Sequence, residues 1–221
     1  THENSSAASD VYKRQTGKNT GGMGAYSPSS LINDDLENKI LDKIIEPTLK
    51  AISEMNEKYI GFLYAGLMIK NNEPYLIEYN VRMGDPECQT ILPLIDSDLL
   101  EIIDACCNSK LVTQDIKWKN KKSMCIVLCS KGYPEKYSQN VEIENLKEFK
   151  STKDNFIFHA GTKSLENKIL AVGGRVINFV NISDKYSSSR KEIINQIKKL
   201  NWENGFYRSD ICLLYTSDAA D

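Results

Sequence analysis

The sequence predicts an α+β protein in which a helix–hairpin–helix region is followed by a strand-rich region. Apolar residues recur at helical spacing through residues 33–52, which predicts an amphipathic helix. Two extended apolar segments, residues 61–69 and 74–80, flank an Asn-Asn-Glu turn and predict a hairpin. Beyond a polar, basic segment at residues 115–122, short apolar runs typical of strands predominate. We therefore expect two structural regions that meet near this segment.

The first region contains two predicted helices. The first helix begins at Asp34, because Asn33 is a suitable N-cap, and Pro47 should kink or split it. Its apolar face consists of aliphatic residues at helical spacing: Leu36, Ile40, Ile44, Ile45, Leu49 and Ile52. The second helix is predicted over residues 98–108, and its expected buried face comprises Leu99, Leu100, Ile102, Ile103 and Cys106.

The second region contains several predicted strands and one helix. Residues 123–130 form a continuous apolar run, which predicts a buried strand, and residues 156–159 form a shorter one. We expect residues 169–172 and 175–182 to pair as a hairpin around a Gly173-Gly174 turn. Asp184 is the expected cap of a last helix, which turns four aliphatic residues inward: Ile193, Ile194, Ile197 and Leu200.

The two ends of the chain differ from the rest of the sequence. Residues 5–15 read SSAASDVYKRQ and residues 212–221 read CLLYTSDAAD. One DNA sequence, read on opposite strands, can encode both, and it resembles a transposon-end sequencing adapter. We therefore treat residues 1–15 and 212–221 as foreign tails and exclude them from fold reasoning. The expected domains are then residues 16–118 and 119–211.

Composition argues against several functional classes. The sequence has 28 Lys and Arg and 30 Asp and Glu, of which the tails hold two and four, so 26 of each sign remain. A neutral chain offers no bulk attraction to nucleic acid or to an anionic membrane, and we expect neither partner. Outside the tails there is one histidine, His159, and no C-x-x-C pair, so a zinc site is not expected. Without a signal peptide or a long apolar span, the prediction is a reduced, cytoplasmic protein.

The residues at the end of the predicted hairpin suggest phosphate chemistry. Glu78 and Asn80 are two apart on a strand, so their side chains should share one face. A carboxylate and an amide oxygen suit Mg²⁺, which commonly takes one or two protein ligands together with substrate phosphates. Arg82 continues this face if the chain stays extended, and its guanidinium suits phosphate oxygens. A strand running into a Gly-Asp-Pro turn with solvated charges would show the same spacing, so spacing alone does not decide.

A family resemblance adds to this interpretation. Residues 82–89, RMGDPECQ, resemble the signature of the glycinamide ribonucleotide synthetase family, which are ATP-grasp ligases of purine synthesis. Met83 stands where the family usually has Leu or Phe. Four other segments resemble the same family in the same order, namely residues 19–28, 61–68, 158–162 and 173–176. The resemblance implies the C-terminal half of an ATP-grasp domain, followed by a small mixed α/β, partly barrel-like C-terminal domain.

The resemblance also implies an activity. Members join glycine to 5-phosphoribosylamine through a glycyl phosphate, with cleavage of ATP. By this resemblance Glu78 and Asn80 are the metal ligands, for Mg²⁺ or Mn²⁺, and Arg82 is the catalytic residue that stabilises the transferring group. The implied partners are the small-molecule substrates, and the implied full-length form is a monomer. The family's N-terminal domain and lid would precede residue 19, and this sequence lacks them, so we expect the chain alone to be inactive.

Several further residues are candidates for substrate contacts. By resemblance the ATP- and substrate-binding residues are Asn19, Thr20, Gly21, Gly22, Leu67 and Asp85. Residues 19–24 have two interpretations, because their backbone amides could cradle a phosphate or could form an ordinary glycine turn. Leu67 is explained as well by core packing as by contact with adenine. Asp85 is also a candidate turn cap, Glu87 is a candidate partner for Arg82, and His159 is expected to be a structural hydrogen-bonding residue.

Two alternatives stay open at this stage. One is another ATP-grasp ligase, such as a carboxylase or a carboxylate–amine ligase, against which the Gly-Asp-Pro-Glu segment argues. The other is a non-catalytic interaction module, against which the presence of Glu78, Asn80 and Arg82 argues. Residues 61–69 contain no acid, so the facing strand offers no additional carboxylate for the metal.

Overall fold

The computed structural model describes residues 20–211 and the backbone of a short strand, β1 (Ala7–Ala8). These residues form two units, which we name by their main feature. The hairpin unit comprises residues 29–84 and 95–118. The sheet unit comprises β1 and residues 20–28, 85–94 and 119–211.

The hairpin unit opens with a long helical segment. The first helix, α1 (Asp34–Ile40), begins after Asn33, whose side chain accepts a hydrogen bond from Leu36 N at 2.9 Å. A π-helical turn (Leu41–Ile45) follows, and α2 (Glu46–Glu54) has Pro47 in its first turn. Because proline has no amide hydrogen to donate to the preceding turn, the regular pattern breaks there, as predicted.

The predicted hairpin is present as β3 (Tyr64–Lys70) and β4 (Glu73–Asn80), which pair antiparallel. Asn71 and Asn72 connect the strands, and their φ angles of 54° and 58° are typical of a two-residue type I′ turn. The register shifts between Gly66 and Leu67, so that β4 contains one bulged residue. The bulge lies just before the two predicted metal ligands.

The chain then enters the sheet unit as α3 (Glu87–Ile91) and a 3₁₀ turn (Leu92–Leu94), and returns to the hairpin unit as α4 (Leu99–Cys107). The predicted buried face of α4 was wrong in part. Leu100 is 73% exposed and Ile103 is also exposed, whereas Ala105 is buried. The apolar side of this helix finds too little cover among the described elements of its own unit, which apolar periodicity alone could not reveal.

The sheet unit is centred on β5 (Lys122–Ser130), all of whose residues after Lys122 are buried. One antiparallel sheet has the order β1-β2-β5-β10-β7, and a further strand, β11, pairs with β5. The remaining strands are β2 (Gly24–Ser27), β6 (Val141–Glu142), β7 (Asn155–His159), β8 (Thr162–Leu165), β9 (Lys168–Ala171), β10 (Arg175–Ser183) and β11 (Gly205–Phe206).

Helix α5 (Tyr186–Leu200) packs on this sheet. Tyr186 meets Tyr26 of β2 edge-to-face at 5.3 Å, and Ile193, Ile197 and Leu200 are buried, as predicted. The predicted cap was wrong, because α5 begins after Lys185, which makes no side-chain capping bond. The carboxylate of Asp184 instead accepts a hydrogen bond from Lys121 Nζ at 2.6 Å.

A glycine corner connects this sheet to a second one, of order β6-β9-β8. The chain changes sheets at Gly161, between β7 and β8, and at Gly173, between β9 and β10. A Cβ atom on Gly161 would lie 2.6 Å from Gly173 Cα, so only glycine fits there. The predicted Gly173-Gly174 hairpin turn was therefore wrong, because the tight turn is at Glu166-Asn167, both with positive φ.

Strand pairing among the described residues gives open sheets and no closed barrel. In the same part of the chain, no helix has the length and apolar character needed to cross a membrane. Strand β1 pairs Ala7 with Tyr26 and Ala8 with Ala25. Two residues that we set aside as part of a foreign tail thus lie beside β2, and the origin of that tail stays a prediction.

Candidate active site

The two predicted metal ligands lie side by side at the end of β4. Asn80 Nδ2 donates a hydrogen bond to Glu78 Oε1 at 3.2 Å, so the side chains share one face, as their spacing predicted. Glu78 is exposed and Asn80 is half-buried. A carboxylate next to an amide therefore faces outward from the hairpin unit, where a ligand can reach it.

The strand opposite leaves room for this pair. Gly66 of β3 is the register partner of Glu78, and a Cβ atom on Gly66 would lie 3.0 Å from Glu78 Cγ. A larger residue at position 66 would press on the carboxylate and change its direction. The glycine and the bulge beside it thus set where Glu78 points.

The opposite face of β4 anchors the pair to the helices. Tyr79 lies between Glu78 and Asn80 in sequence, so its side chain points the other way. Its hydroxyl lies 2.6 Å from Thr48 Oγ1 and donates to Ile44 O at 3.0 Å. Because β4 is fixed through Tyr79, the two ligand side chains start from a well-defined backbone.

Glu78 and Asn80 fit a hard cation, with one adjustment. Both offer oxygen atoms of the kind that Mg²⁺ prefers. A cation held by both residues would replace their present hydrogen bond, since it needs the Asn80 amide oxygen and not the nitrogen. No group of three or more His, Cys, Asp or Glu side chains suited to a metal occurs among residues 20–211. The remaining ligands would have to come from substrate oxygens and water.

Arg82 does not continue the strand. β4 ends at Asn80, and Val81 and Arg82 form a bend, so the condition for a shared face with Glu78 is not met. The Arg82 guanidinium is exposed and donates from Nη1 to Met83 O at 2.9 Å. This local bond leaves most of its donors directed to solvent, which suits a residue that engages a ligand, and its catalytic role stays a prediction.

Asp85 belongs to a cluster in the sheet unit that is centred on Arg175. Its Oδ2 atom lies 2.9 Å from Arg175 Nη2, and its backbone carbonyl accepts from Arg175 Nη1 at 2.8 Å. Its other carboxylate oxygen accepts from Gln89 Nε2 at 3.0 Å, within the first turn of α3. Asp85 thus holds the turn, as one of its two interpretations predicted, and its contact with substrate stays untested.

The glycine loop joins the same cluster through its carbonyl groups. Arg175 Nη1 donates to Gly21 O at 2.7 Å and to Gly22 O at 3.3 Å. Tyr133 donates its hydroxyl to Thr20 O at 2.5 Å. The loop therefore turns oxygen atoms toward donors of its own unit, whereas a phosphate cradle relies on amide groups. Asn19, which is also a predicted substrate-binding residue of this loop, lies outside the described residues.

Two features explain the glycines of this loop. Gly21 and Gly22 have φ angles of 64° and 93°, which residues with a side chain rarely adopt. A Cβ atom on Gly22 would also lie 2.7 Å from Pro86 Cδ. The glycines let the loop approach the Asp85–Pro86 turn closely, which is a structural reason for the motif beside the functional one.

The other candidates have less defined surroundings. Leu67 is half-buried on β3 opposite Leu76, so the structure is compatible with packing and leaves the adenine contact a prediction. Glu87 is buried at the start of α3. His159 Nδ1 lies 2.9 Å from Thr162 Oγ1 at the glycine corner, which agrees with the structural role expected for it.

Sequence reasoning missed Arg175 and Tyr133, which hold the loop and the turn together. Arg175 follows the Gly173-Gly174 pair, and residues 173–176 entered the sequence-based predictions only as a segment that resembles the synthetase family and as a predicted turn. An arginine at the start of a buried strand was a signal that could have marked it. Burial raises the pKa of the Tyr133 hydroxyl, so it stays protonated and keeps donating to Thr20.

Comparison with known proteins places the chain in a family. Residues 5–88 match the model of the phosphoribosylglycinamide synthetase ATP-grasp (A) domain, and residues 123–213 match that of the C domain of the same synthetase. The first match begins inside the adapter-like tail. Phosphoribosylamine–glycine ligase of Fusobacterium nucleatum is 40% identical over 206 residues, which are 93% of this chain and 48% of that protein.

Solved structures agree with this. A crystal structure of phosphoribosylamine–glycine ligase from Thermotoga maritima superposes with a TM-score of 0.76 at 29% identity, covering 88% of this chain and 47% of that one. The biotin carboxylase domain of 2-oxoglutarate carboxylase from Hydrogenobacter thermophilus, solved with MgADP and bicarbonate, superposes with a TM-score of 0.57. It is 12% identical, covers 85% of this chain and 39% of that one, and shows the fold alone.

The chain spans about half the length of the curated relatives that it matches. Within that span it carries the ATP-grasp match on one side and the C-domain match on the other, in the order predicted from its motifs. The chain therefore belongs to the phosphoribosylglycinamide synthetase family.

Proposed function

We propose that this chain is part of an ATP-dependent phosphoribosylamine–glycine ligase. The observation that carries the proposal is the Glu78–Asn80 pair at the exit of β4, in a chain whose relatives at about 40% identity have that name. A carboxylate next to an amide, with an exposed arginine two residues further along the chain, suits a site that handles phosphates.

In this proposal Glu78 and Asn80 are the residues that would hold Mg²⁺, or Mn²⁺, together with phosphate oxygens of ATP. The cation supplies neutralisation of the phosphate charge when it is bound. Glu78 contributes a full negative charge and Asn80 a neutral oxygen, so the pair binds the cation without cancelling its charge. Gly66 and Tyr79 keep the two side chains on one outward face.

The proposed reaction has two steps. A carboxylate oxygen of glycine attacks the γ-phosphorus and the bond to ADP breaks, which gives glycyl phosphate and ADP. The amine of 5-phosphoribosylamine then attacks the acyl carbon, phosphate leaves, and the nitrogen loses a proton to form the amide. Both steps bring negatively charged groups together, so the chain's contribution is charge neutralisation and positioning. Arg82 is the proposed group that stabilises the transferring phosphoryl.

The test is a chimaera that restores a full-length ligase. Residues 16–211 replace the corresponding residues of the Fusobacterium ligase, and ADP and glycinamide ribonucleotide are measured with ATP, Mg²⁺, glycine and phosphoribosylamine. We expect glycine- and phosphoribosylamine-dependent turnover. We expect Glu78→Gln to lower kcat/KM by at least about 100-fold, because it removes the only charged ligand of the proposed pair.

The matched control is Glu101→Gln, the same chemical change at an exposed position on α4. It should leave turnover unchanged. A folded chimaera with ATP turnover that ignores glycine and phosphoribosylamine would contradict the proposal and favour another carboxylate–amine ligase or a carboxylase. The sequences of the relatives do not favour those alternatives, since the biotin carboxylase likeness is at 12% identity.

The proposal includes a setting for the reaction. Four cysteines of the described residues, Cys106, Cys107, Cys125 and Cys129, are free thiols. Unpaired thiols suit a reducing compartment, and we place the ligase in the cytoplasm. Its partners in this proposal are small molecules, without nucleic acid or membrane, and it acts as a monomer.

A further inference from the structure

Arg175 joins two distant segments of the chain through one guanidinium. Its Nη1 atom donates to the carbonyl oxygens of Gly21, Gly22 and Asp85 at 2.7, 3.3 and 2.8 Å. Its Nη2 atom lies 2.9 Å from the Asp85 carboxylate. The loop and the turn that it joins both carry residues predicted to contact substrate.

Arg175 is ion-paired within its own chain. Its side chain is 23% exposed, and Asp85, which is 45% exposed, supplies the opposite charge. A planar guanidinium with several fixed donors can bond two backbone segments at once, which an ammonium group cannot do in the same geometry. Arg175 therefore has the properties of a group that acts on its own chain rather than as a free cation for a ligand.

The loop needs such support. Gly21 and Gly22 adopt left-handed backbone angles, and glycine leaves the unfolded loop more freedom than any other residue. Tyr133 fixes the preceding residue through Thr20 O. Its ring packs on Gly174, where a Cβ atom would lie 2.1 Å from the ring. Arg175 thus holds the loop directly, and Gly174 leaves room for the Tyr133 ring that holds it through Thr20.

We propose that Arg175 is a positioning residue, which holds the Thr20–Gly22 loop and the Asp85–Pro86 turn in fixed register so that both are ordered before a ligand binds. The structural part of this inference stands on the contacts of the sheet unit alone. Its kinetic part rests on the proposed function.

The first test measures order in this chain by ¹⁵N relaxation. In the wild type we expect backbone order parameters of about 0.85 at Gly21, Gly22 and Asp85. In Arg175→Lys we expect all three to fall together below about 0.6, while Val127 in β5 stays rigid. A joint fall is the signature of one group that holds both segments.

Two further variants sharpen this test. Arg208→Lys is the control, because it makes the same chemical change at another bidentate ion pair, with Asp210, that includes neither the loop nor the turn. It should leave the three order parameters unchanged. Tyr133→Phe removes only the bond to Thr20 and should loosen Gly21 and Gly22 but not Asp85. If Arg175→Lys does not fold, Asp85→Asn takes its place, since it removes the charge of the pair and nearly preserves shape.

The second test is kinetic and uses the chimaera. A positioning role predicts that Arg175→Lys lowers kcat/KM by about 100-fold with an unchanged melting temperature, because small misplacements of reacting groups have effects of that size. A purely structural role would lower the melting temperature and the active fraction instead. An inactive wild-type chimaera would count against the proposed function. The relaxation test would still show whether Arg175 keeps the two segments rigid.

Unchanged order parameters in both Arg175→Lys and Asp85→Asn would overturn the proposal. So would a loss of order at only one of the two segments, or full activity of Arg175→Lys in an active chimaera.

Discussion

The two units differ in how well they bury their own apolar residues. Of the described large apolar side chains that are exposed, 13 lie in the hairpin unit and one, Leu165, lies in the sheet unit. Among the buried apolar residues, three lie in the hairpin unit, namely Leu36, Ile44 and Ala105, and 23 lie in the sheet unit. The sheet unit has a core of its own, whereas the hairpin unit leaves much of its apolar surface open.

The large buried core and the predicted metal ligands therefore lie in different units. The sheet unit is built around β5 and β10, which are buried along nearly their whole length. The hairpin unit instead presents Glu78 and Arg82 at exposed positions and Asn80 at a half-buried one. Exposed apolar surface of this extent usually belongs to an interface. Because the chain spans about half the length of its relatives, we expect the rest of such a ligase to cover the hairpin unit.

The largest expected effect concerns activity. The 221-residue chain by itself should make glycinamide ribonucleotide at least about 1000-fold less efficiently than the chimaera, because an open site loses both water exclusion and substrate positioning. ADP and product are followed with all substrates present. Turnover of the chain close to that of the chimaera would show that the hairpin unit needs no cover.

The next effect concerns the cores. Phe179→Ala should lower the free energy of unfolding of the sheet unit by about 3–5 kcal/mol, because Phe179 is fully buried and packs edge-to-face on Phe149 at 6.3 Å. Urea unfolding is followed by the fluorescence of Trp202 in a Trp118→Phe background, so that only the sheet unit reports.

The comparison change in the other unit is Val112→Ala, followed by the fluorescence of Trp118 in a Trp202→Phe background. Val112 is 94% exposed, so this variant should change stability by less than about 0.5 kcal/mol. Equal losses in the two variants would mean that the apolar surface of the hairpin unit is buried in the isolated chain, and the comparison of the units would fail.

A smaller effect depends on pH. Burial raises the pKa of the Cys129 thiol to about 12 from an ordinary value of 9.0, and burial also raises the pKa of Cys125 from the same value. The pKa of each thiol is higher in the folded chain than in the unfolded chain. The stability that depends on the protonated thiols is therefore fully present below pH 9 and is lost as the pH rises toward 12. Each thiol should contribute a decrease of about 1 kcal/mol per pH unit in that window.

The measurement is urea unfolding of the sheet unit at several values between pH 8 and pH 11. The free energy of unfolding should fall less steeply with pH in Cys129→Ala than in the wild type. It should fall as steeply as in the wild type in Cys107→Ala, which changes an exposed cysteine of the hairpin unit. Parallel decreases in all three proteins would show that the buried thiols do not couple to folding.

The smallest effect concerns the tails. Removal of residues 1–15 and 212–221 should shift the melting temperature by less than about 2 °C, because terminal segments with few contacts contribute little. β1 is two residues long and pairs at the edge of the sheet with Tyr26 and Ala25. A decrease of several degrees after trimming only residues 1–15 would make β1 part of the core sheet.

Local sequence signals predicted those parts of the fold that neighbouring residues decide. Asn33 caps α1, Pro47 interrupts the helix, and the turn at Asn71-Asn72 closes the hairpin. The Gly173-Gly174 turn was wrong because a pair of glycines also serves where two sheets meet at a corner, and the partner, Gly161, is not a neighbour in sequence. The exposure of Leu100 was missed for the same reason, since periodicity shows which side is apolar and not what covers it.

For the candidate site, the shared face of Glu78 and Asn80 could be predicted from the sequence, because period-two geometry acts over three residues. The sequence also determined the family, through the order of its motifs. The contacts of Arg175 could not be predicted in this way, because they join segments 90 and 153 residues away. The physical reason is range: strand spacing and turn angles act between neighbours, whereas one guanidinium finds its carbonyl partners only after the chain has folded.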